Sequence, residues 1–347
     1  MSRVCLIFNP LENIMIRGIS KYTIETREIL LASGAKVHTL VMPSIIGRAP
    51  RTLQILLFMV FQQVILPIYA VFKRPDVIFD AYNSYSLIAA LRWRYVCVIH
   101  DFIPFSNKRW WTKPGSIYQR ILHRLSPFIP KLELYFINNT VADQGVGIVN
   151  KFDGIIPNLV KPLRNFDEVD SDALSLVEKI RFEYSDFLLV TTISGEGKNK
   201  DFGGLIKLLG CTKKRIVVVA FGFKGSQIAP LSEYVHVVCP GIVSSQYIGT
   251  TISCSDLFLF HSLQEGFGRP VIEALMEGAK VLSISDIPVV NEVPDRLRPL
   301  LYLYSGLEDF TNCFIEALRS NRPILEVDNI SNQEEIQVAM KILGEEK

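Results

Sequence analysis

Five residues within a nine-residue stretch of the chain are suited to binding a phosphorylated ligand: Glu265, Gly266, Gly268, Pro270 and Glu273. Glycine lets backbone N–H groups approach a ligand closely, and proline suits the first turn of a helix because its missing N–H costs nothing there. A helix start carries roughly half a positive charge, so it attracts a nucleotide diphosphate and the charge on a departing phosphate. The stretch therefore indicates a strand-to-helix corner that binds a nucleotide.

The two carboxylates of this stretch indicate a sugar beside the nucleotide. Carboxylates repel phosphate, so Glu265 and Glu273 are better suited to accept hydrogen bonds from sugar hydroxyls, and a diol offers two donors to one carboxylate. Taken alone, Glu273 is also explained as a residue that complements the dipole of the helix in its first turn. The convergence of all five residues on one corner favours the site.

The same stretch, EGFGRPVIE at 265–273, resembles the E-G-F-G-x-P-x-x-E run of glycosyltransferase family 4. The resemblance extends to Ser262 and to Pro157-Asn158, and so spans nearly the whole chain. It implies a retaining enzyme of the α/β GT-B fold, in which two Rossmann-like, doubly wound parallel-sheet domains face a cleft.

The resemblance also assigns roles within the stretch. Glu273 would hold the ribose of the nucleotide. Glu265 would hold the donor sugar together with the backbone of Phe267 and Gly268, and Arg269 is a further candidate for donor binding.

A second segment resembles the family's phosphate-binding sequence, G-x-x-x-x-R-K-N. Here it reads TTISGEGKN at 191–199, so Lys198 matches the lysine whereas Gly197 replaces the arginine. We expect Lys198 to act on the phosphate as a point charge, and the alternative is a solvated loop lysine. Lys200 and Arg269 are candidates for the missing charge.

Two features of the first half also resemble the family, the second of them only in part. The segment VIHDFIP at 98–104 resembles an I-H-D-x-x-P segment, which would place His100 at the donor sugar, although a histidine after a strand is also commonly structural. Asp101 would orient that histidine or cap a turn. Gly18 is the one glycine retained from a G-G-I-G-x-Y loop, and either admits the sugar phosphate or acceptor or makes a plain turn.

Alternating strand-like and helical runs must position these residues. They extend from 3–8 to 154–156 and restart at 187 after a turn-rich, charged stretch, which predicts two doubly wound units with ligands outside the carboxyl ends of the strands. The predicted boundaries are an N-terminal acceptor-side domain at 1–158, a linker and start of the second domain at 159–186, a C-terminal nucleotide-sugar-binding domain at 187–325, and a closing helix at 326–347.

Composition restricts the partners. The chain of 347 residues has 37 basic and 35 acidic residues, which gives no global bias toward nucleic acid. Its six cysteines are scattered singly, without metal-ligand spacing, so we expect buried thiols in a reducing compartment and a cytoplasmic protein. No cleavage-site pattern follows the first apolar run, and secretion is not supported.

Two segments raise the question of a membrane. Residues 53–72 carry no charge and have basic flanks, and we expect a buried helix there, with an interfacial helix or a membrane span as alternatives. The run Lys108 to Lys113, followed by Arg120, His123 and Arg124, mixes cations with tryptophans. It indicates either contact with a membrane surface or a solvated face above packed tryptophans.

The family resemblance, together with these features, implies a retaining glycosyltransferase that moves a hexosyl unit, with mannosyl as a guess, from a nucleotide diphosphate sugar to a growing surface glycan. The predicted acceptor is a glycan or lipid-linked oligosaccharide at the inner face of the plasma membrane. No metal and no cofactor are expected, because the glycine loop, the helix dipole and Lys198 would neutralise the diphosphate. The alternative is a non-catalytic GT-B subunit that binds or scaffolds a glycan-assembly complex.

Overall fold

The computed structural model of the chain describes residues 3–14, 18–102, 105, 113–194, 200–223, 227–230, 234–322 and 332–345. It divides into two compact units. Unit 1 comprises Met1–Leu159 and Ile330–Lys347, and unit 2 comprises Val160–Asn329. Each unit has its own sheet.

Unit 1 is built on a six-stranded parallel sheet in the order β2-β1-β3-β4-β5-β6. Its central strands are runs of buried apolar residues, as expected for a parallel sheet covered on both faces. The strands are β1 (Val4–Phe8), β2 (Lys36–Leu40), β3 (Val77–Asp80), β4 (Arg94–Ile99), β5 (Leu132–Phe136) and β6 (Gly154–Ile155).

Helices cover both faces of this sheet. They are α1 (Gly18–Ala32), α2 (Arg51–Val60), α3 (Leu66–Lys73), α4 (Leu87–Arg92), α5 (Pro114–Leu125), α6 (Asn139–Gly145) and, from the end of the chain, α12 (Asn332–Leu343). A π-helical turn at Phe61–Ile65 joins α2 to α3, and α12 packs against α1. Because parallel crossovers are right-handed, the connections that follow β2, β3 and β4 lie on the same face of the sheet.

The apolar segment 53–72 is helical, but the expectation that it is buried is wrong. Thr52–Lys73 forms a continuous helix long and apolar enough to cross a membrane, and only 22% of its most apolar stretch is buried. The inward face carries Gln62, Leu66 and Ala70, all fully buried. The inward face is thus partly polar, while many of the large apolar side chains point outward.

Unit 2 is built on a seven-stranded sheet in the order β13-β12-β11-β7-β8-β10-β9. The strands are β7 (Leu188–Ile193), β8 (Ile216–Phe221), β9 (Gln227–Pro230), β10 (Val235–Cys239), β11 (Leu257–Phe260), β12 (Val281–Ile284) and β13 (Leu301–Tyr304). The edge strand β9 pairs antiparallel with β10, and the other strand pairs of this sheet are parallel, as predicted for a doubly wound domain. The helices are α7 (Ser171–Glu183), α8 (Phe202–Cys211), α9 (Ser245–Ser253), α10 (Arg269–Met276) and α11 (Leu307–Arg319).

A buried glutamate fixes the start of unit 2. Glu277, just after α10, accepts hydrogen bonds from the backbone N–H groups of Leu163 (2.8 Å) and Arg164 (3.2 Å), and from Nε of Arg164 (2.6 Å). Burial raises the pKa of this carboxyl, and the charge of Arg164 opposes that shift. The segment after Pro157-Asn158 is thus held by a carboxylate more than 100 residues away along the chain.

The cysteines are less buried than expected. Cys5 and Cys97 lie in the core of unit 1, but Cys211 is exposed and the remaining three are half-buried. All six are free thiols.

The sequence predicts that His123 of α5 belongs to a cationic surface together with Arg120 and Arg124. For His123 this prediction is wrong. The side chain is fully buried, with its ring centre 6.1 Å from that of Phe102 and 5.9 Å from that of Phe105. Burial lowers its pKa to about 4, because the apolar surroundings disfavour the charged imidazole.

We expect this histidine to make unit 1 sensitive to acid. The unfolded chain binds the proton near pH 6.5 and the folded chain near pH 4, so stability is present above pH 6.5 and is lost as the pH falls toward 4. Between pH 7 and about pH 4.5 the wild type should lose about 2 to 3 kcal/mol more than His123→Leu. Denaturant unfolding of both proteins at the two pH values measures this, and parallel losses would contradict it.

Candidate functional site

The predicted strand-to-helix corner exists in unit 2. Strand β11 is fully buried and ends at Phe260, and α10 begins at Arg269 with Pro270 in its first turn. Gly268 precedes the helix with φ 99°, and a Cβ there would lie 2.9 Å from Cγ1 of Val289. Glycine is therefore required by both backbone and space, because another residue would be strained at this φ and its Cβ would press on Val289.

Glu265 lies in the loop of this corner, where Ser262 and Lys200 hold it. The hydroxyl of Ser262 donates to Oε1 of Glu265 at 2.6 Å, and the ammonium of Lys200 donates to the same oxygen. Nζ of Lys200 also lies 5.2 Å from the centre of the Phe260 ring. Lys200, a candidate for the missing positive charge, is thus placed at the corner.

Glu273 and Arg269 face each other one turn apart on α10. Nε of Arg269 donates to Oε1 of Glu273 at 3.4 Å, and each residue is only 6% exposed. The positive charge of Arg269 therefore balances a buried carboxylate in this structure. Phe267 is also buried, and its carbonyl accepts a hydrogen bond from the N–H of Val289 at 2.9 Å.

Sequence reasoning missed three residues beside this corner. Nδ1 of His261 lies 2.6 Å from the hydroxyl of Tyr304, at the end of β13, and Nε2 lies 3.4 Å from Oδ2 of Asp201. Asp201 has φ 33° and caps α8 by accepting from the N–H of Gly204 at 3.2 Å. Burial raises the pKa of Tyr304. The available signal was a histidine directly after a buried strand, the same signal that drew attention to His100.

In unit 1, His100 follows β4 and is buried at the carboxyl edge of the sheet. Its backbone N–H donates to Oδ1 of Asn83 at 2.6 Å, and its ring packs edge-on against Tyr22 at 4.6 Å. Nδ2 of Asn83, a residue with φ 57°, lies 3.4 Å from Oδ2 of Asp101. Asp101 therefore supports the asparagine that holds His100.

Gly18 begins α1 and is exposed at the same edge. Ser20, two residues on, donates to Oδ1 of Asn9 at 3.3 Å, and the hydroxyl of Tyr82 donates to the same oxygen. Asn9 follows β1, so the loops after β1 and β3 meet here. The sequence did not single out Asn9 or Tyr82.

Several predicted residues lie outside the described part of the chain. Lys198 and Gly197 fall in the gap at 195–199, and the basic-aromatic run from Lys108 to Thr112 falls in the gap at 106–112. Among the residues that are described, no group of three or more histidines, cysteines and carboxylates is suited to hold a metal ion. The metal-free expectation stays a prediction.

Comparison with known proteins places the fold. No family model matches the chain. This chain is 23% identical over 246 residues to the serotype-specific mannosyltransferase WbdA of Escherichia coli. The alignment spans 62% of this chain but 30% of WbdA. The chain thus covers less than a third of this curated relative.

Solved structures match nearly the whole chain at low identity. Sucrose-phosphate synthase from Thermosynechococcus elongatus aligns with a TM-score of 0.67 at 11% identity, over 99% of this chain and 93% of the other. WaaG, a glycosyltransferase involved in lipopolysaccharide biosynthesis, gives 0.61 at 11% identity over 98% and 93%. Anabaena HepE in complex with UDP-glucose gives 0.62 at 13% identity over 99% and 94%. The predicted GT-B fold is confirmed, as is the predicted similarity to glycosyltransferases.

Proposed function

We propose that this chain, which has the GT-B fold, is a retaining glycosyltransferase that moves a hexosyl unit from a nucleotide diphosphate sugar to a hydroxyl of a growing glycan. The observation that carries the proposal is the corner in unit 2, where Gly268, the start of α10, Lys200 and two glutamates meet. Cations and backbone N–H groups suit the diphosphate, and carboxylates suit the hydroxyls of ribose and sugar.

In the proposed reaction, the bond between the anomeric carbon and the phosphate oxygen breaks while the acceptor oxygen bonds to the same carbon. The acceptor proton passes to the leaving phosphate oxygen, so no separate base is needed. The first turn of α10, Lys198 and Lys200 would stabilise the charge on the departing diphosphate. Glu265 would hold the sugar and Glu273 the ribose, and His100 keeps the sugar-contacting role that the resemblance implies.

The finer identity of the substrates is proposed from the named relatives. WbdA is a mannosyltransferase, which supports a mannosyl donor, and HepE is solved with UDP-glucose, so both sugars are candidates. The lipopolysaccharide role of WaaG supports a lipid-linked acceptor made at the inner face of the plasma membrane. We accordingly propose a cytoplasmic protein with peripheral membrane contact.

The test begins with thermal unfolding in the presence of GDP-mannose, UDP-glucose and related donors. A donor at 100 times its Kd should stabilise the protein by about 2.7 kcal/mol by mass action. The stabilising donor is then incubated with glycan acceptors, and nucleoside diphosphate should be released only when an acceptor is present. A non-catalytic subunit would bind without release or not bind at all, and inversion at the anomeric carbon of the product would refute retention.

Lys198→Ala should mainly slow transfer, because a point charge on the diphosphate stabilises the leaving group more than the bound donor. We expect kcat to fall by roughly 10²-fold, with a smaller change in donor affinity. Single-turnover kinetics and donor calorimetry separate the two effects. An unchanged kcat would return Lys198 to the alternative of a solvated loop lysine.

A further inference from the structure

The helix Thr52–Lys73 has an outward face of large apolar side chains. These residues recur at intervals of three or four along most of the helix, so they form one stripe. Their exposed fractions range from 41% to 77%, which is high for such residues. They are Leu53, Leu56, Val60, Val64, Ile68, Val71 and Phe72.

The stripe continues onto two neighbouring helices of unit 1. Helix α4 packs against α3 and the π-helical turn, and exposes Ile88 and Leu91. Helix α5 is joined to the same turn because the hydroxyl of Tyr118 donates to Oε1 of Gln62 at 2.6 Å. It exposes Ile117 and Ile121. We call this set, from Thr52–Lys73, α4 and α5 together, the apolar face.

The polar contacts of the same helix show how it lies. Nε2 of Gln62 donates to Asp80 at 2.7 Å and to Ser84 at 3.0 Å, both buried. Nε2 of Gln63 donates to the carbonyl of Tyr85 at 2.8 Å. These bonds fix the helix flat against the sheet of a folded domain. The helix therefore cannot cross a bilayer while unit 1 stays folded. Only its outward-facing side is free to contact a lipid surface.

Basic charge is concentrated in the part of the chain that carries the apolar face. Between residues 41 and 132 the chain has 12 lysines and arginines but three acidic residues, whereas the whole chain has 37 basic and 35 acidic residues. One of the three acids, Asp80, is buried under the helix. Exposed cations lie near the ends of the helices that form the face: Arg48, Arg74, Arg92, Lys113 and Arg124.

We propose that the apolar face docks flat on an anionic lipid bilayer, with its side chains at the boundary between headgroups and acyl chains and its cations on lipid phosphates. Contiguous exposed apolar patches mark interaction surfaces, and nearby lysines and arginines add attraction to anionic lipid. The same cations disfavour dimerisation through the apolar face, because pairing two copies face to face would bring their positive charges together. The proposal does not depend on the transfer reaction.

Vesicle flotation tests the proposal with the full chain. We expect it to float with vesicles of phosphatidylethanolamine and phosphatidylglycerol, to float less with phosphatidylcholine, and to be released as salt is raised. The double variant Ile68→Glu/Phe72→Glu should bind at least about tenfold more weakly, since two apolar anchors become charged. The matched control Phe182→Glu/Leu307→Glu makes the same change at exposed residues of unit 2 and should bind like the wild type.

A second variant, Arg92→Ser/Arg124→Ser, removes two exposed charges without touching the apolar stripe. It should lose several-fold binding to anionic vesicles and keep its melting temperature, which separates docking from folding. The proposal is overturned if the wild type does not float, or if Ile68→Glu/Phe72→Glu floats equally well. It is also overturned if the wild type is a dimer that this variant dissociates. Intact donor binding alongside failed flotation would refute this proposal and the peripheral membrane contact, and would leave the proposed transfer reaction standing.

Discussion

Replacing Glu265 with glutamine is expected to lower kcat by roughly 10² to 10³-fold, the range found when one stabilising group is removed from an active site. The substitution removes the negative charge that Lys200 and Ser262 contact and leaves the shape of the side chain. A carboxylate that holds the donor sugar contributes most when positive charge develops at the anomeric carbon in the transition state. The fold-decrease in kcat should therefore exceed the fold-loss of donor affinity. Steady-state transfer and donor calorimetry on the same preparation measure both quantities.

The control for this variant is Ser262→Ala, which removes one hydrogen bond to the same carboxylate and keeps its charge. It should cost about 0.5 to 1.5 kcal/mol in the transfer barrier, or roughly 2- to 13-fold in rate. Equal losses in the two variants would show that Glu265 matters only for the shape of the loop. A Glu265→Gln protein with wild-type kcat would remove Glu265 from the site.

Replacing Glu273 with glutamine is expected to weaken donor binding by about 1.5 to 3 kcal/mol, roughly 10- to 150-fold in Kd, because the two charged acceptor oxygens proposed to bind the ribose hydroxyls become one neutral oxygen and one donor group. The structure adds a second effect. Arg269 and Glu273 are both buried, so the variant leaves the guanidinium without its counter-charge and lowers the free energy of unfolding by about 3 kcal/mol. Titration calorimetry and denaturant unfolding report the two effects separately.

Glu277→Gln provides the matched control. Glu277 follows the same helix, is also buried and also pairs with an arginine, Arg164. Its loss should destabilise unit 2 by a similar amount and leave donor affinity unchanged, because its partners hold the segment at Leu163. If both variants lose stability but neither loses donor affinity, Glu273 has a structural role only. That result would favour the alternative in which Glu273 complements the dipole of its helix.

The sequence by itself determined the local chemistry of the site. A buried strand, two glycines, a proline and the start of a helix are consecutive in the chain, so their arrangement follows from short-range backbone preferences. The same is true of the βαβ alternation, since hydrophobic periodicity is a local property. For this reason the corner at 265–273 and the two doubly wound units were predicted from the residues themselves, whereas the GT-B fold was implied by the family resemblance.

The partners at that corner were decided by the tertiary structure. Lys200 reaches Glu265 from 65 residues away and Tyr304 reaches His261 from 43 residues away, because parallel strands bring the loops at their carboxyl ends together. No local pattern encodes which loops become neighbours. The sequence offered Lys200 and Arg269 as candidates for the missing charge, and only the fold shows that Lys200 contacts Glu265 whereas Arg269 contacts Glu273.

The clearest difference concerns residues 53–72. Apolar composition predicted burial, yet the buried positions include Gln62, and most of the large aliphatic side chains face outward. Hydropathy measures how much a segment gains by leaving water. It does not say whether that gain comes from the sheet beneath it or from another surface. Only the packed structure, in which Gln62 is hydrogen-bonded to Asp80 and Ser84, decides which side of the helix the domain itself covers.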